Sequence, residues 1–112
     1  YASWTKIGSA MNLAIRALAR AEGVDDALVE EWNLSQPGAV ERSERVAKGN
    51  SPKAWRFTGE MAQIASSFEE AGLPAGFAVA ADEIYTRMAG FKGATDVTLD
   101  QVIDALNADG GS

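Results

Sequence analysis

The fold is decided by the stretch from residue 4 to residue 23, which reads WTKIGSAMNLAIRALARAEG. Its large apolar side chains return every three or four residues, which is the period of an α-helix and not the alternation of a strand. The members of this stripe are Trp4, Ile7, Met11, Ile15 and Leu18. We expect one long helix that ends at about Glu22, with Gly23 as its stop. Leu13 and several alanines make a second face apolar, so we expect the helix to be central or buried in an interface.

Two shorter helices are predicted next, separated by breaks that contain glycine and proline. The second helix is expected from about Asp25 to Leu34, with Leu28 and Trp32 buried. Pro37 suits the first turn of the third helix, where a proline costs no hydrogen bond. The third helix is expected to be largely solvated, because four of five successive residues are charged: Glu41, Arg42, Glu44 and Arg45.

The second half of the chain predicts three more helices. The fourth is expected from Pro52 to Ala71, with Ser51 as its N-cap and Gly72 at its end. The fifth is expected to start at Leu73–Pro74, and the last opens on a capping box over residues 98–101. The apolar side chains expected to face the core are Phe57, Met61, Ile64 and Phe68, then Phe77, Ala81, Ile84, Met88 and Phe91, then Leu99, Val102, Ile103 and Leu106. The sequence predicts a single all-α domain of about six helices over residues 1–108, and a flexible tail over residues 109–112.

Composition excludes several classes of function. The chain has 112 residues with no cysteine and no histidine, so it holds no disulfide, thiolate ligand or histidine base. Its net charge is −6 and its cations are scattered, which disfavours binding to nucleic acid or to an anionic membrane. No apolar run is long enough to span a membrane, and no signal-peptide pattern is present. We expect a soluble cytoplasmic protein without a metal site.

The start of the chain is also informative. It begins at Tyr1 without an initiator methionine, already inside a helical pattern, so we expect a truncated, trimmed or processed chain. No glycine-rich strand-to-helix turn of the GxGxxG kind is present, so these residues build no dinucleotide-binding unit.

Two groups of polar residues are candidate binding residues. Tyr1 and Thr5 share one stripe of the first helix with Gly8 and Asn12, and they form either a site wall or ordinary internal hydrogen bonds. The second group lies at the start of the fourth helix, where cations near a helix N-terminus favour an anion. Its members are Lys53, Arg56 and Glu60. The alternative is that Lys53 and Arg56 pair with nearby acids, with Glu60 one turn from Arg56.

Several short motifs, in order, resemble one known family. They are Tyr1-Ala2-Ser3-Trp4-Thr5-Lys6, residues 14–24, Ser35-Gln36-Pro37, residues 52–57, Gly59-Glu60-Met61, residues 71–74 and Glu83-Ile84-Tyr85. Together they are similar to the C-terminal helical domain of NAD-binding proteins of the 6-phosphogluconate dehydrogenase type, the domain of unknown function DUF1932. The similarity covers about residues 1–91. It implies a parent enzyme of the β-hydroxyacid dehydrogenase superfamily, with a Rossmann domain upstream that binds NAD or NADP.

The resemblance implies a mechanism and also shows departures. In the superfamily a lysine in a Lys-x-x-Asn-Asn pattern is the general acid/base for hydride transfer at a hydroxyl-bearing carbon. Alignment on Gly23 places the two asparagines at Tyr1 and Ala2, so no catalytic residue lies in this chain and the lysine is expected three residues upstream of Tyr1. A Lys-Asp motif corresponds to Gly59-Glu60, where the lysine is lost. The substrate-binding candidates are Tyr1, Thr5, Lys53, Arg56 and Glu60.

The function expected from this resemblance is a substrate-binding and dimerisation domain of an NAD(P)-dependent oxidoreductase that acts on a small hydroxyacid-like substrate. A homodimer is implied, and the first helix agrees with it. The stripe from Trp4 to Leu18 is expected to face the core, and the second apolar face, with Leu13 and several alanines, is expected to lie in the dimer interface. By itself the chain is expected to bind no nicotinamide cofactor and to be inactive. The alternatives are a free-standing helical module for protein interaction, which would use the same apolar surface, and a carrier of a small ligand between helices.

Overall fold

The computed structural model describes residues 1–108, so the tail predicted over residues 109–112 lies outside the described residues. The helices are α1 (Gly8–Ala21), α2 (Asp25–Ser35), α3 (Ala39–Asn50), α4 (Ala54–Glu70), α5 (Gly76–Arg87) and α6 (Leu99–Ala108). A π-helical turn, Ser3–Ile7, leads directly into α1, and 3-10 turns lie at Ser51–Lys53 and Ala89–Phe91. Residues 1–108 contain no strand, so the prediction of an all-α fold with about six helices is confirmed. None of these helices combines the length and the apolar character needed to cross a membrane.

Local sequence signals place several helix ends correctly. Gly23 and Gly72 both have positive φ, 74° and 77°, and the residue after each donates its backbone N–H to the carbonyl five residues earlier. This is the hydrogen bond of a glycine-terminated helix. The predicted capping box is also present, because the Thr98 N–H donates to Gln101 Oε1 at 2.9 Å and the Gln101 N–H donates to Thr98 Oγ1 at 3.2 Å.

Three predicted helix starts are wrong. α3 begins at Ala39, after Gly38 with a φ of 91°, so Pro37 lies in the preceding turn and not in the helix. Ser51 is not an N-cap, since its buried hydroxyl donates back to the carbonyl of Ala47. α5 begins at Gly76 and not at Leu73–Pro74. In each case a turn of different geometry takes up the residues that the sequence assigned to the helix.

The first helix faces the core mainly with Leu13 and small side chains, so the prediction is wrong for three of the five stripe residues. Ile7 packs against the core and Ile15 is half-buried. Ala10, Leu13 and Ala17 are buried, and Leu13 has no exposed surface. In the predicted stripe, by contrast, Trp4 is 79% exposed and Leu18 is 60% exposed. Small side chains allow neighbouring helices to approach closely, so this face packs and the bulky face is left outside. The exposed stripe, defined as Trp4, Met11 and Leu18, is therefore surface in this chain.

The rest of the core agrees with the sequence in α6 and only partly elsewhere. All four predicted residues of α6 are buried, as are Phe57 and Met61 of α4. In α5 the prediction is wrong for Phe77, which is 58% exposed, and it missed Tyr85, which is fully buried. α2 buries no residue completely, so the expectation for Leu28 and Trp32 is also wrong, because both are only half-buried.

A buried arginine joins the first three helices. Arg16 on α1 is 5% exposed, and its Nε donates to Asp25 Oδ1 on α2 at 3.2 Å. Its Nη1 donates to the Ser43 hydroxyl on α3 at 3.0 Å. Ser43 is fully buried, so α3 is less solvated than predicted, although Glu41, Glu44 and Arg45 on its outer face are exposed.

Asp25→Asn is expected to destabilise the domain by about 2 to 3 kcal/mol, because it leaves the buried Arg16 guanidinium without its counter-charge. Asp26→Asn is the matched control, since it makes the same chemical change at the next position, where the side chain is exposed. The measurement is the free energy of unfolding from urea titration followed by circular dichroism. Equal losses in the two variants would contradict a structural role for the Arg16–Asp25 pair.

Candidate functional site

An ion pair joins the start of the first helix to α4. Lys6 Nζ lies 2.5 Å from Glu60 Oε2, although the two residues are 54 positions apart in the chain. The same ammonium lies 4.5 Å from the ring centroid of Phe57, close enough for a cation–π interaction. Glu60 therefore pairs with a residue of another helix, and not with Arg56 on its own helix. Two contacts fix the position of the Lys6 ammonium.

Tyr85 holds the backbone at the same place. Its hydroxyl donates a 2.5 Å hydrogen bond to the carbonyl of Lys6, which lies inside the π-helical turn. Its ring meets Phe57 edge to face, with centroids 5.2 Å apart. Burial raises the pKa of Tyr85 to about 12, while nearby Asn50 and the positive charge of Arg42 act in the opposite direction. The hydroxyl is thus held in its neutral, hydrogen-bond-donating form. We call Lys6, Phe57, Glu60 and Tyr85 the Lys6 cluster.

The structure places the five predicted binding residues in two groups. Tyr1 is 99% exposed at the tip of the first helix. The Thr5 hydroxyl donates to the carbonyls of Tyr1, at 3.3 Å, and Ala2, at 3.4 Å, so it bonds within its own helix. Lys53 and Arg56 precede Glu60 in the chain, and both are exposed. Neither forms an ion pair within residues 1–108. Glu60 is the member of the second group that contacts the first helix.

Two apolar grooves run along the sides of the first helix. One, of about 180 Å³, lies against α5 and is lined by Ile7, Met11 and Phe77 among others. The other, of about 340 Å³, lies against α2 and α3 and includes Trp4 and Trp32. The two grooves share Ile7 and Met11, so they meet beside the exposed stripe.

Sequence reasoning missed the roles of Lys6 and Tyr85. Lys6 is one of ten cations in the chain. The helical period places it on a different face from the catalytic lysine expected three residues before Tyr1. Glu60 was a candidate, but its pairing with Lys6 has no local signal, because a contact across 54 residues leaves no pattern in a single sequence. Within residues 1–108, no three acidic side chains come together as a metal site.

The protein is a small all-helical domain. Its first helix carries the Lys6 cluster at one end and the exposed stripe along its side. The chain belongs to the family described as Domain of unknown function (DUF1932), whose model matches residues 19–88. This family is known as a C-terminal domain of dehydrogenase-like proteins. Comparison with curated proteins and with solved structures gives no match.

Tyr85→Phe is expected to destabilise the domain by about 1 to 1.5 kcal/mol near neutral pH, because the Lys6 carbonyl loses its donor. The wild type carries a further pH dependence. The Tyr85 pKa is raised above its unfolded value of 10.0 to about 12, so its contribution is complete below pH 10 and is lost as the pH rises through 12. Tyr85→Phe removes this loss. The measurement is the free energy of unfolding between pH 8 and pH 12, with the exposed Tyr1→Phe as control. Parallel curves for wild type and Tyr85→Phe would contradict this role.

Proposed function

We propose that this chain is the C-terminal substrate-binding and dimerisation domain of an NAD(P)-dependent oxidoreductase that acts on a small hydroxyacid-like substrate. Membership of DUF1932 supports the dehydrogenase context. The observation that carries the substrate-binding part is the Lys6–Glu60 ion pair, which ties α4 to the first helix close to Tyr1. The catalytic lysine of the superfamily corresponds to a position three residues before Tyr1, so the Lys6 cluster supports the helix end that would present it.

The residues of this chain would position the substrate and not react with it. A lysine three residues before Tyr1 lies on the same helix face as Tyr1 and, one further turn along, Thr5. When bound to the upstream domain, the nicotinamide supplies hydride chemistry, with that lysine as general acid/base. Tyr85 and Glu60 fix the first turns of the helix from two sides, and a displacement of about 1 Å at such a support is enough to lower catalysis markedly.

The test uses the full-length protein that contains this domain. It is expected to carry an upstream Rossmann domain and to bind NADH or NADPH, whereas the 112-residue chain alone is expected to bind neither. Glu60→Gln is expected to lower kcat/KM by about tenfold or more without changing nicotinamide affinity, since it removes the ion pair that supports the helix. Glu69→Gln is the control, because this α4 residue is exposed. A full-length protein without a Rossmann domain or nicotinamide affinity would overturn the proposal.

The proposed dimer uses the exposed stripe. Leu13 lies in the domain core and is unavailable for an interface, which corrects the face expected from the sequence. Trp4, Met11 and Leu18 are exposed, and the two apolar grooves meet at Met11. Covering this surface removes apolar area from water at roughly 25 cal/mol per Å², and a two-fold contact with a second copy is the simplest cover.

Met11→Glu is expected to dissociate the dimer while leaving the helical fold intact, because Met11 is 49% exposed and a charge there costs little in a monomer. Leu13→Glu is expected to unfold the domain, since it buries an unpaired charge in the core. Sedimentation equilibrium gives the mass and circular dichroism gives the fold. If the wild type sediments as a single chain, the stripe is instead the surface of the upstream domain or of another protein partner.

A further inference from the structure

A polar cavity of about 360 Å³ opens at the start of α3, against α1. It is lined by Asn12, Gln36, Arg42, Arg45 and the turn over residues 37–39. Two arginines and two amides thus face one space in a chain whose net charge is −6. From the sequence, Arg42 and Arg45 were expected on a largely solvated helix. In the structure both residues line the cavity.

Among the arginines of residues 1–108 that are not exposed, Arg42 is the one without a counter-charge. Three arginines of the described chain are not exposed: Arg16, Arg42 and Arg87. Arg16 pairs with Asp25 and Arg87 pairs with Glu83, whereas the Arg42 guanidinium makes neither an ion pair nor a hydrogen bond within residues 1–108. A partly desolvated cation without a partner is unfavourable, and an anion bound in the cavity would supply the missing charge.

Asn12 adds a second unsatisfied group to the same cavity. Its Oδ1 atom is buried and has no hydrogen-bond donor, and it is the one such side-chain atom among the described residues. The guanidinium of Arg42 approaches the first helix beside it, with Nη2 3.4 Å from the position that a Cβ on Gly8 would occupy. An unpaired cation and an unsatisfied acceptor therefore lie together. A ligand that satisfies both has negatively charged oxygens and a hydroxyl that can donate.

The start of α3 reinforces the positive potential. The helix has 12 residues, its N-cap is Gly38, and no side chain caps its first N–H groups. Those groups favour a bound anion. The acidic neighbours on α3 are Glu41 and Glu44, which are exposed and form no ion pair with Arg42 or Arg45 in the described chain. Glu41 lies in the first turn of α3, but no ion pair of the described chain occupies either arginine of the cavity.

We propose that this cavity binds a phosphate group, free or as a phosphate ester, between Arg42 and Arg45. Two guanidinium groups match the charge of a phosphate and can grip its oxygens in pairs, and a P–OH or a neighbouring hydroxyl donates to Asn12. The cavity adjoins the Lys6 cluster, because the Arg42 guanidinium that lines it also lies against Gly8 and acts on Tyr85. The cavity shares Asn12 and Arg42 with the groove against α2 and α3. It does not depend on the proposed oxidoreductase function.

The test is a titration of the ¹⁵N-labelled 112-residue chain with inorganic phosphate and with glycerol 3-phosphate, at constant ionic strength, followed by NMR. We expect saturable shifts centred on the amides of residues 38–42 and the side chain of Asn12, and none with acetate at equal concentration. Saturation by either phosphate compound supports the site and shows whether the free ion or an ester is preferred. Shifts that stay linear, or that spread over all basic surfaces, would overturn it.

Variants separate this site from general charge effects. Arg42→Gln is expected to weaken phosphate binding at least tenfold and Arg45→Gln severalfold. Arg56→Gln is the matched control, because it removes the same charge from an exposed arginine on α4. Asn12→Asp places a carboxylate beside Arg42 and is expected to weaken binding at least tenfold while keeping the fold, which the dispersion of the NMR spectrum reports. Equal phosphate affinity in Arg42→Gln, Asn12→Asp and Arg56→Gln would refute the proposal.

Discussion

The buried guanidinium of Arg16 sets how the first three helices lie against one another. A charge that is 5% exposed must keep its partners, so Asp25 on α2 and Ser43 on α3 are held where they meet it. This contact also fixes the rotation of α3 about its axis. With Ser43 turned toward Arg16, the preceding residue, Arg42, is turned by about 100° toward Gly8 and the polar cavity. The Arg16–Ser43 contact therefore determines that Arg42 faces the polar cavity.

The first helix is held differently at its beginning. There the Tyr85 hydroxyl donates a hydrogen bond to the Lys6 carbonyl, and the Glu60 carboxylate forms an ion pair with the Lys6 ammonium. One contact fixes the backbone and the other fixes a side chain, so the end of the helix resists both fraying and rotation. Such support is what a helix needs if residues near its start are to present chemical groups to a substrate, because catalytic geometry tolerates little displacement.

The structure also shows which parts of the fold a single sequence determines. The glycine stops at Gly23 and Gly72 and the capping box at Thr98 were predictable, because each is a contact between residues a few positions apart. The α-helical period of α1 was predictable too, but the π-helical turn Ser3–Ile7 before it and the face that is buried were not. The Lys6–Glu60 pair was not predictable at all, since it depends on how α4 packs against a helix more than fifty residues earlier.

The exposure of Trp4, Met11 and Leu18 on the first helix needs a physical explanation. If hydrophobicity alone chose the buried face, Trp4 and Leu18 would point inward, yet they are 79% and 60% exposed. The face with Ala10 and Ala17 packs instead because it lets the neighbouring helices come close, and close packing gains dispersion energy over many atoms. Trp4, which is left mostly in water, then contributes little to the packed core. Aromatic side chains are enriched where two proteins meet, and this is the physical basis of the proposed interface on the exposed stripe.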